Sequence, residues 1–142
     1  MHASEMLETS PGNAIFANES LIKCIEACFD CAQSCGACAA ACLGEPQIDM
    51  LRRCIRLDLD CDDVCIATGR MLSRQQDADN RLVRAQLEAC LVACAACGDE
   101  CAKHAQQHEH CRVCAEACRA CARACRDAIA ALGSASTQTV KD

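Results

Sequence analysis

The chain lacks the material from which most globular cores are built. It has no Trp, no Tyr and only two Phe in 142 residues, so the broad aromatic surfaces that usually anchor a core are missing. No stretch approaches the roughly 18–20 continuous apolar residues of a membrane helix, which argues against a membrane-spanning segment. Basic residues are in the minority, 14 Lys and Arg against 20 Asp and Glu, for a net charge of −6. Without a basic face interleaved with aromatics, nucleic acid is excluded as a partner. The first eight residues, Met1 to Glu8, carry neither the positive region nor the apolar run of a secretory signal. A cytosolic location is therefore expected.

What the chain has in abundance is cysteine, eighteen of them. A protonated Cys is a small hydrophobe, so an interior of thiols and alanine methyls can replace the missing aromatics. In a cytosolic protein, thiols in such number point to metal or redox chemistry rather than a disulfide framework. The length allows one compact domain and not two substantial ones.

Punctuation divides the chain into four long helices. Residues 1–18 contain no Cys and include the turn signal Ser10-Pro11-Gly12-Asn13. They read as an extension, with a helical turn or two, packed outside the main domain. A first long helix starts near Asn18, a good N-cap, and ends at Leu43, where Gly44 and Pro46 form a strong stop. A second runs from about Gln47 to Ser73. The polar segment Arg74 to Asn80 breaks the pattern and supplies an Asp or Asn cap. A third runs from about Arg81 to His104, and a fourth from about His108 to Leu132, with Gly133 as its stop. The break between the last two has neither Gly nor Pro. Residues 133–142 read as a flexible polar tail. Four helices of similar length on short connections predict an all-α fold, an antiparallel up-down-up-down four-helix bundle spanning residues 19–132.

The spacing of the cysteines is the informative feature. The first long helix carries Cys24, Cys28, Cys31, Cys35, Cys38 and Cys42, at intervals of 4, 3, 4, 3 and 4. The third carries Cys90, Cys94, Cys97 and Cys101, and the fourth Cys111, Cys114, Cys118, Cys121 and Cys125, in the same alternation. The second is sparser, with Cys54, Cys61 and Cys65. Alternation of 4 and 3 marks the seam of a coiled coil, where leucine normally sits. All eighteen sulfurs are thus expected to face the bundle interior. From Cys24 to Cys42 alone the stripe extends about 27 Å at ~1.5 Å per residue. Packing alone does not demand sulfur at every layer, because Leu or Ile fills a seam better.

Charge selects among the metals that thiolates hold. Iron–sulfur clusters take their cysteines from loops, in spacings absent here. Zn(II) with four thiolates leaves a charge of about −2 per site, and about four such sites in an apolar tube without Lys or Arg carry a severe desolvation cost. Cu(I) with one thiolate is neutral and accepts two sulfurs, which a rigid helix supplies without unwinding. Intrahelical disulfides are geometrically permitted but constrain little. Buried thiols should be protonated before loading, so the metal-free bundle should already be folded and each copper should displace about one proton.

One end of the predicted bundle gathers Cys42, Met50, Cys54, Cys101, His104, His108, His110 and Cys111. His104 and His108 continue the third helix's seam, so that they and Met50 are candidate metal ligands at a mouth, whereas His110 is out of phase and expected to be solvated. Leu21, Met71, Leu72, Leu82, Val83, Leu87, Ile129 and Leu132 close the opposite end as an apolar stopper. Asp58 falls at a seam position between Cys54 and Cys61, either as a minor ligand or hydrogen-bond partner or displaced by a rotated Leu57. Ile22, Ile25 and Phe29 form a second apolar line, explained by packing on a neighbouring helix or by a subunit interface.

The stripes Cys24–Cys42, Cys90–Cys101 and Cys111–Cys125 closely resemble those of the bacterial copper storage proteins, and the N-terminus is similar to their cytosolic branch. The resemblance covers about residues 20–132. It implies a Cys-lined four-helix bundle that stores many Cu(I) ions for storage and detoxification, is not an enzyme, and assembles as a homotetramer. The alternatives are a general thiolate buffer for Zn(II) or Cd(II) and a thiol redox protein. The latter needs an isolated, activated thiol, and these thiols are too many and too alike.

Overall fold

The computed structural model describes residues 2–11 and 18–139. The expected bundle forms from α2 (Asn18–Leu43), α3 (Arg52–Leu72), α4 (Asn80–His104) and α5 (Glu109–Thr139), preceded by a short α1 (Ala3–Thr9). A 3-10 turn, Ile48–Leu51, leads into α3.

The helix ends follow from local chemistry. At the end of α2 the amides of Gly44 and Glu45 donate to the carbonyls of Ala41 and Cys42 at 3.0 and 3.1 Å, and Pro46 cannot continue the helix. The expected cap of α4 is Asp79, whose carboxylate accepts from the amides of Arg81 and Leu82 at 2.9 and 3.4 Å. Just before it, Asp77 occupies the left-handed region at φ 56°, as short polar residues in turns can. The boundary without Gly or Pro is a tight turn, in which the amides of Gln107 and His108 both donate to the His104 carbonyl.

α5 overruns its predicted stop. Gly133 does not end it, and the helix continues to Thr139. Glycine permits a helix end but compels none: without a Pro after it, the Ala- and Leu-rich run before it carries the helix through at a cost of about 1 kcal/mol. The guanidinium of Arg84 lies 3.2 Å from the point where a Cβ on Gly133 would sit. Gly12 and Asn13 of the expected N-terminal turn and the side chain of Asn18 lie outside the described residues.

α2 packs on α3 and α5, α4 packs on the same two, and diagonal pairs make no backbone contact among the described residues. The pairing is antiparallel throughout. On α2 and α5, Cys24 meets Cys125 and Cys38 meets Cys111; on α3 and α4, Cys54 meets Cys101 and Cys65 meets Cys90. α1 lies against α2, with Ala3 and Leu7 on the core. It covers part of the second apolar line, where Ile25 is buried and the Phe29 ring packs onto Gly69 of α3.

Candidate metal centre

All eighteen cysteines are free thiols, and none is more than 1% exposed. The heptad phase read from the sequence therefore survives packing on all four helices, including the sparse α3. Sulfurs on different helices approach one another closely: Cys54 and Cys101 at 3.4 Å, Cys35 and Cys118 at 3.6 Å, Cys65 and Cys94 at 3.6 Å, Cys31 and Cys61 at 3.8 Å.

These contacts build sets of four sulfurs lying within 4.8 Å of one another. One is Cys28, Cys90, Cys121 and Cys125; the next is Cys31, Cys65, Cys94 and Cys121; a third is Cys31, Cys35, Cys61 and Cys118; a fourth is Cys35, Cys97, Cys114 and Cys118. Near the mouth, Cys38, Cys42, Cys54 and Cys111 form a fifth. The first four share members: Cys121 belongs to the first two, Cys31 to the second and third, Cys35 and Cys118 to the third and fourth; the fifth joins them through Cys101, which lies 3.4 Å from Cys54 and 4.0 Å from Cys97. The interior is a continuous column of sulfur rather than a row of separate sites.

Sulfurs so close cannot all ionise. Hydrogen bonding to neighbouring sulfurs, with burial added, pushes Cys28, Cys35 and Cys94 above the usual thiol range. At the mouth, burial raises Cys42 to about 11. The S–H groups of neighbours such as Cys101 hold Cys54 down. Among the described residues no Lys or Arg is buried, so the column has no permanent cation of its own.

Asp58, not Leu57, occupies the vacant seam position of α3. It is fully buried within the sulfur column. Its Oδ1 accepts from Cys97 at 3.1 Å, Cys114 at 3.3 Å and Cys101 at 3.5 Å, and Oδ2 from Cys54 at 3.9 Å. Burial pushes its carboxyl up to about 8.

The mouth differs from the expectation in three places. Met50 sits on the 3-10 turn and is 63% exposed, while Leu51 takes the buried position. The turn rotates successive side chains by a wider angle than an α-helix does, so α-helical phase assigned the wrong residue. His104 brings its Nε2 to Glu100 at 3.2 Å; Glu100 is itself only 7% exposed and also receives Lys103. His110, expected in solvent, is instead the histidine that touches the column, with Nδ1 at 3.4 Å from Cys38 Sγ and 3.6 Å from Cys111 Sγ. It lies in the first turn of α5, where the chain enters from the tight turn and not from α4's seam.

Glu45, which the sequence did not single out, organises this end. Its Oε2 meets His110 Nε2 at 2.9 Å and His108 Nδ1 at 3.1 Å. The two rings stack with centroids 5.4 Å apart. The hydrogen bond from His110, first, and the nearby histidines hold the Glu45 carboxyl below its usual range. The one sequence signal for Glu45 was its place between Gly44 and Pro46, which fixes a tight turn and aims the side chain.

The opposite end is closed by Leu21, Leu72, Leu87 and Leu132, none more than 1% exposed, together with Val83 and Ala128. Each buried Leu contributes about 2–3 kcal/mol of transfer free energy. Leu82, expected in this stopper, is 59% exposed, because it lies in the first turn of α4 on the face away from the bundle. Thr68 completes the layer, its hydroxyl donating to the Val64 carbonyl and accepting from Gln86.

Comparison with known proteins bears directly on this geometry. The profile of the copper storage protein family matches residues 17–130. A copper storage protein from Streptomyces lividans, in a structure loaded with 10 copper equivalents, is 52% identical, covering 91% of this chain and 98% of that one, with a TM-score of 0.89. The Cu(I)-bound copper storage protein BsCsp3 is 40% identical over 73% of this chain and 92% of its own, with a TM-score of 0.66. A cysteine-rich protein of Bacillus subtilis (strain 168) is 40% identical over 94 residues, 66% of this chain and 82% of its own length. A family match spanning most of the chain, laid over a bundle whose interior is sulfur, places this protein in the copper storage protein family.

Proposed function

We propose that this protein stores many Cu(I) ions on its eighteen Cys thiolates, in the cytosol, as copper reserve and detoxification. The observation that carries the reading is the sharing of sulfurs between adjacent sets of four. A tetrahedron of sulfurs with ~2.3 Å bonds has edges of ~3.8 Å, so the 3.4–4.0 Å spacing found here admits either Zn(II) or Cu(I). Sharing and charge decide between them. Zn(II) sites with four thiolates of their own are separate and dianionic, whereas Cu(I) tolerates thiolates that bridge two ions and reaches neutrality at one thiolate per ion. A buried column without cations favours the neutral product.

Loading replaces one thiol proton by one Cu(I), so the chain's own work is to hold neutral thiols dry and close, and then to release protons. His110 and Asp58 extend the ligand set at the two levels where they touch sulfur. His108 and His104 line the approach, and Met50 stands outside it. Retention suits storage rather than catalysis, since no thiol stands apart from the rest as a nucleophile. The S. lividans relative is described as cytosolic, in keeping with the location expected from the sequence. The homotetramer implied by the family resemblance has a candidate surface in the apolar groove between α3 and α4, where Leu57, Ala89, Val92 and Ala96 face outward and Val92 is 67% exposed.

The test is an anaerobic titration of the reduced protein with Cu(I) against a competing chelator, with Zn(II) in parallel. Storage predicts saturation well beyond two ions per chain and Cu(I) displacing Zn(II). Saturation at one or two coppers, or tighter retention of zinc, sinks the proposal.

A further inference from the structure

The mouth contains a carboxylate that touches no sulfur and yet controls which nitrogens face the metal's path. One oxygen of Glu45, Oε2, lies 2.9 Å from His110 Nε2 and 3.1 Å from His108 Nδ1. A carboxylate oxygen only accepts, so each neutral imidazole must place its single N–H on the nitrogen nearest Glu45. The two rings are thereby set in opposite tautomers. His110 carries its proton on Nε2 and keeps Nδ1 as a lone pair, aimed at Cys38 and Cys111 at 3.4 and 3.6 Å. His108 carries its proton on Nδ1 and keeps Nε2 as the lone pair.

We propose that Glu45 is a positioning residue for copper uptake, which fixes His110 with its Nδ1 lone pair toward Cys38 and Cys111 and fixes His108 in the opposite tautomer. The inference rests on the Cu(I) storage reading and names the group that arranges its port. A metal-ligating histidine depends on the hydrogen bond made by its other nitrogen, which sets tautomer and ring orientation. Here one carboxylate does this for two stacked rings whose centroids are 5.4 Å apart.

Glu45 is well placed for the task. It belongs to the turn between α2 and the 3-10 helix, its amide is held by the Cys42 carbonyl at 3.1 Å, and Pro46 stiffens the next bond. The histidines belong to the start of α5. The contact therefore ties the two sides of the mouth together, across 65 residues of sequence. The glutamate side chain is 27% exposed and the two imidazoles 19% and 25%, half-shielded values suited to groups that meet an incoming ion.

The variants are Glu45→Ala, which removes the acceptor, and Glu45→Gln, whose amide oxygen still accepts. In the reduced, metal-free protein at neutral pH, long-range proton–nitrogen NMR of the imidazoles should show His110 protonated on Nε2 and His108 on Nδ1. The Nδ1–H form is the less populated one in free histidine, so its dominance at His108 demands an acceptor. Glu45→Ala should return His108 to the Nε2–H form, and Glu45→Gln should preserve the native pattern. Stopped-flow absorbance of Cu(I)–thiolate formation should show uptake slowed by about tenfold or more in Glu45→Ala, with the final number of coppers unchanged and the rate largely restored in Glu45→Gln.

The proposal is overturned if His108 in the wild type is protonated on Nε2, if either ring is doubly protonated at neutral pH, or if Glu45→Ala loads at the wild-type rate. Failure of the wild type itself to take up more than two coppers would instead overturn the storage reading, and the NMR result would stand apart from it.

Discussion

Replacing Asp58 by Asn removes one ionisable group from the centre of the sulfur column and keeps its shape. The wild-type carboxyl is fully buried, accepts from the thiols of Cys97, Cys114 and Cys101, and titrates at about 8, raised chiefly by burial. In the unfolded chain an Asp titrates at about 3.9. Between these values the folded protein holds a proton that the unfolded chain has released. Native protein therefore binds more protons than unfolded, and stability falls as pH rises. The favourable contribution is complete below about pH 3.9 and is lost as pH climbs toward 8. At ~1.36 kcal/mol per unit, the span from pH 4 to 7 has a ceiling of about 4 kcal/mol; relaxation around a buried charge reduces this to about 2–3 kcal/mol. The same eighteen thiols titrate in both proteins, so the difference between the Asp58→Asn and wild-type stability curves isolates the carboxyl. The assay is urea unfolding of the reduced, chelator-treated protein at several pH values and constant ionic strength. Asp58→Asn should match the wild type within about 1 kcal/mol near pH 4.5 and exceed it by about 2–3 kcal/mol at pH 7. If the two stability curves run parallel, the carboxyl is ionised or hydrated in the native state and the reasoning is refuted.

Two helical glycines should respond in opposite directions to alanine. At Gly69 a Cβ would lie 2.8 and 2.9 Å from the Phe29 ring, so Gly69→Ala should lower stability by about 1–3 kcal/mol in urea unfolding, despite the helix preference of Ala. At Gly36 the only close atom is the movable Asp62 carboxylate, at 2.9 Å, and Gly36→Ala should raise stability by about 0.5–1 kcal/mol on the same assay. Asp79→Ala, which strips the two amide hydrogen bonds at the start of α4, should cost about 1 kcal/mol, read as a drop in the thermal midpoint of the circular dichroism signal. Met50→Ala should leave the number of coppers bound unchanged by elemental analysis, since the thioether is 63% exposed; a lower number would restore Met50 to the ligand set.

The bundle and its sulfur lining were legible because both rest on one repeating signal. Fifteen cysteines in heptad phase on three helices, and three on another, define the inward face wherever the backbone stays α-helical, and every one of them is buried. The same rule placed Asp58 at a seam position, where the structure puts it. Legibility failed where the backbone leaves that geometry. Met50 lies on a 3-10 turn, so its phase was reckoned with the wrong angle per residue. His104 lies in the final turn of α4 and His110 in the first turn of α5. Between them the tight turn resets the phase, so α4's register continued to His108 did not reveal that His110 touches the sulfurs. Glu100 and Glu45 were invisible for a further reason: each acts through contacts with partners that sequence spacing does not encode. Gly133 failed as a stop because a glycine ends a helix only where its C-terminal neighbours cannot continue it, and no proline lies beyond.

A heptad stripe on a single straight helix would not deliver such a column. With 3.6 residues per turn, a seven-residue repeat drifts by about 20° per heptad, and the stripe of α2 runs over nineteen residues from Cys24 to Cys42. In a two-helix seam that drift would carry the last sulfurs out of contact unless the helices coil around each other. In a closed square of four helices, drift away from one neighbour is drift toward another. The contacts of α2 show this latitude: Cys24 and Cys28 meet sulfurs of α5 and α4, Cys31 meets both Cys61 of α3 and Cys118 of α5, and Cys38 meets Cys111 and His110 of α5. The central sulfurs are not committed to a single partner. That lack of commitment makes the sets of four overlap, and the overlap is what disfavours separate Zn(II) tetrahedra and suits bridged Cu(I). Selectivity in this protein thus arises from bundle geometry rather than from any one ligand set. Loss of a single thiol from the middle of the column, as in Cys31→Ala, should therefore reduce capacity by about one copper, read by elemental analysis of the loaded protein, and leave the remaining sulfurs able to regroup.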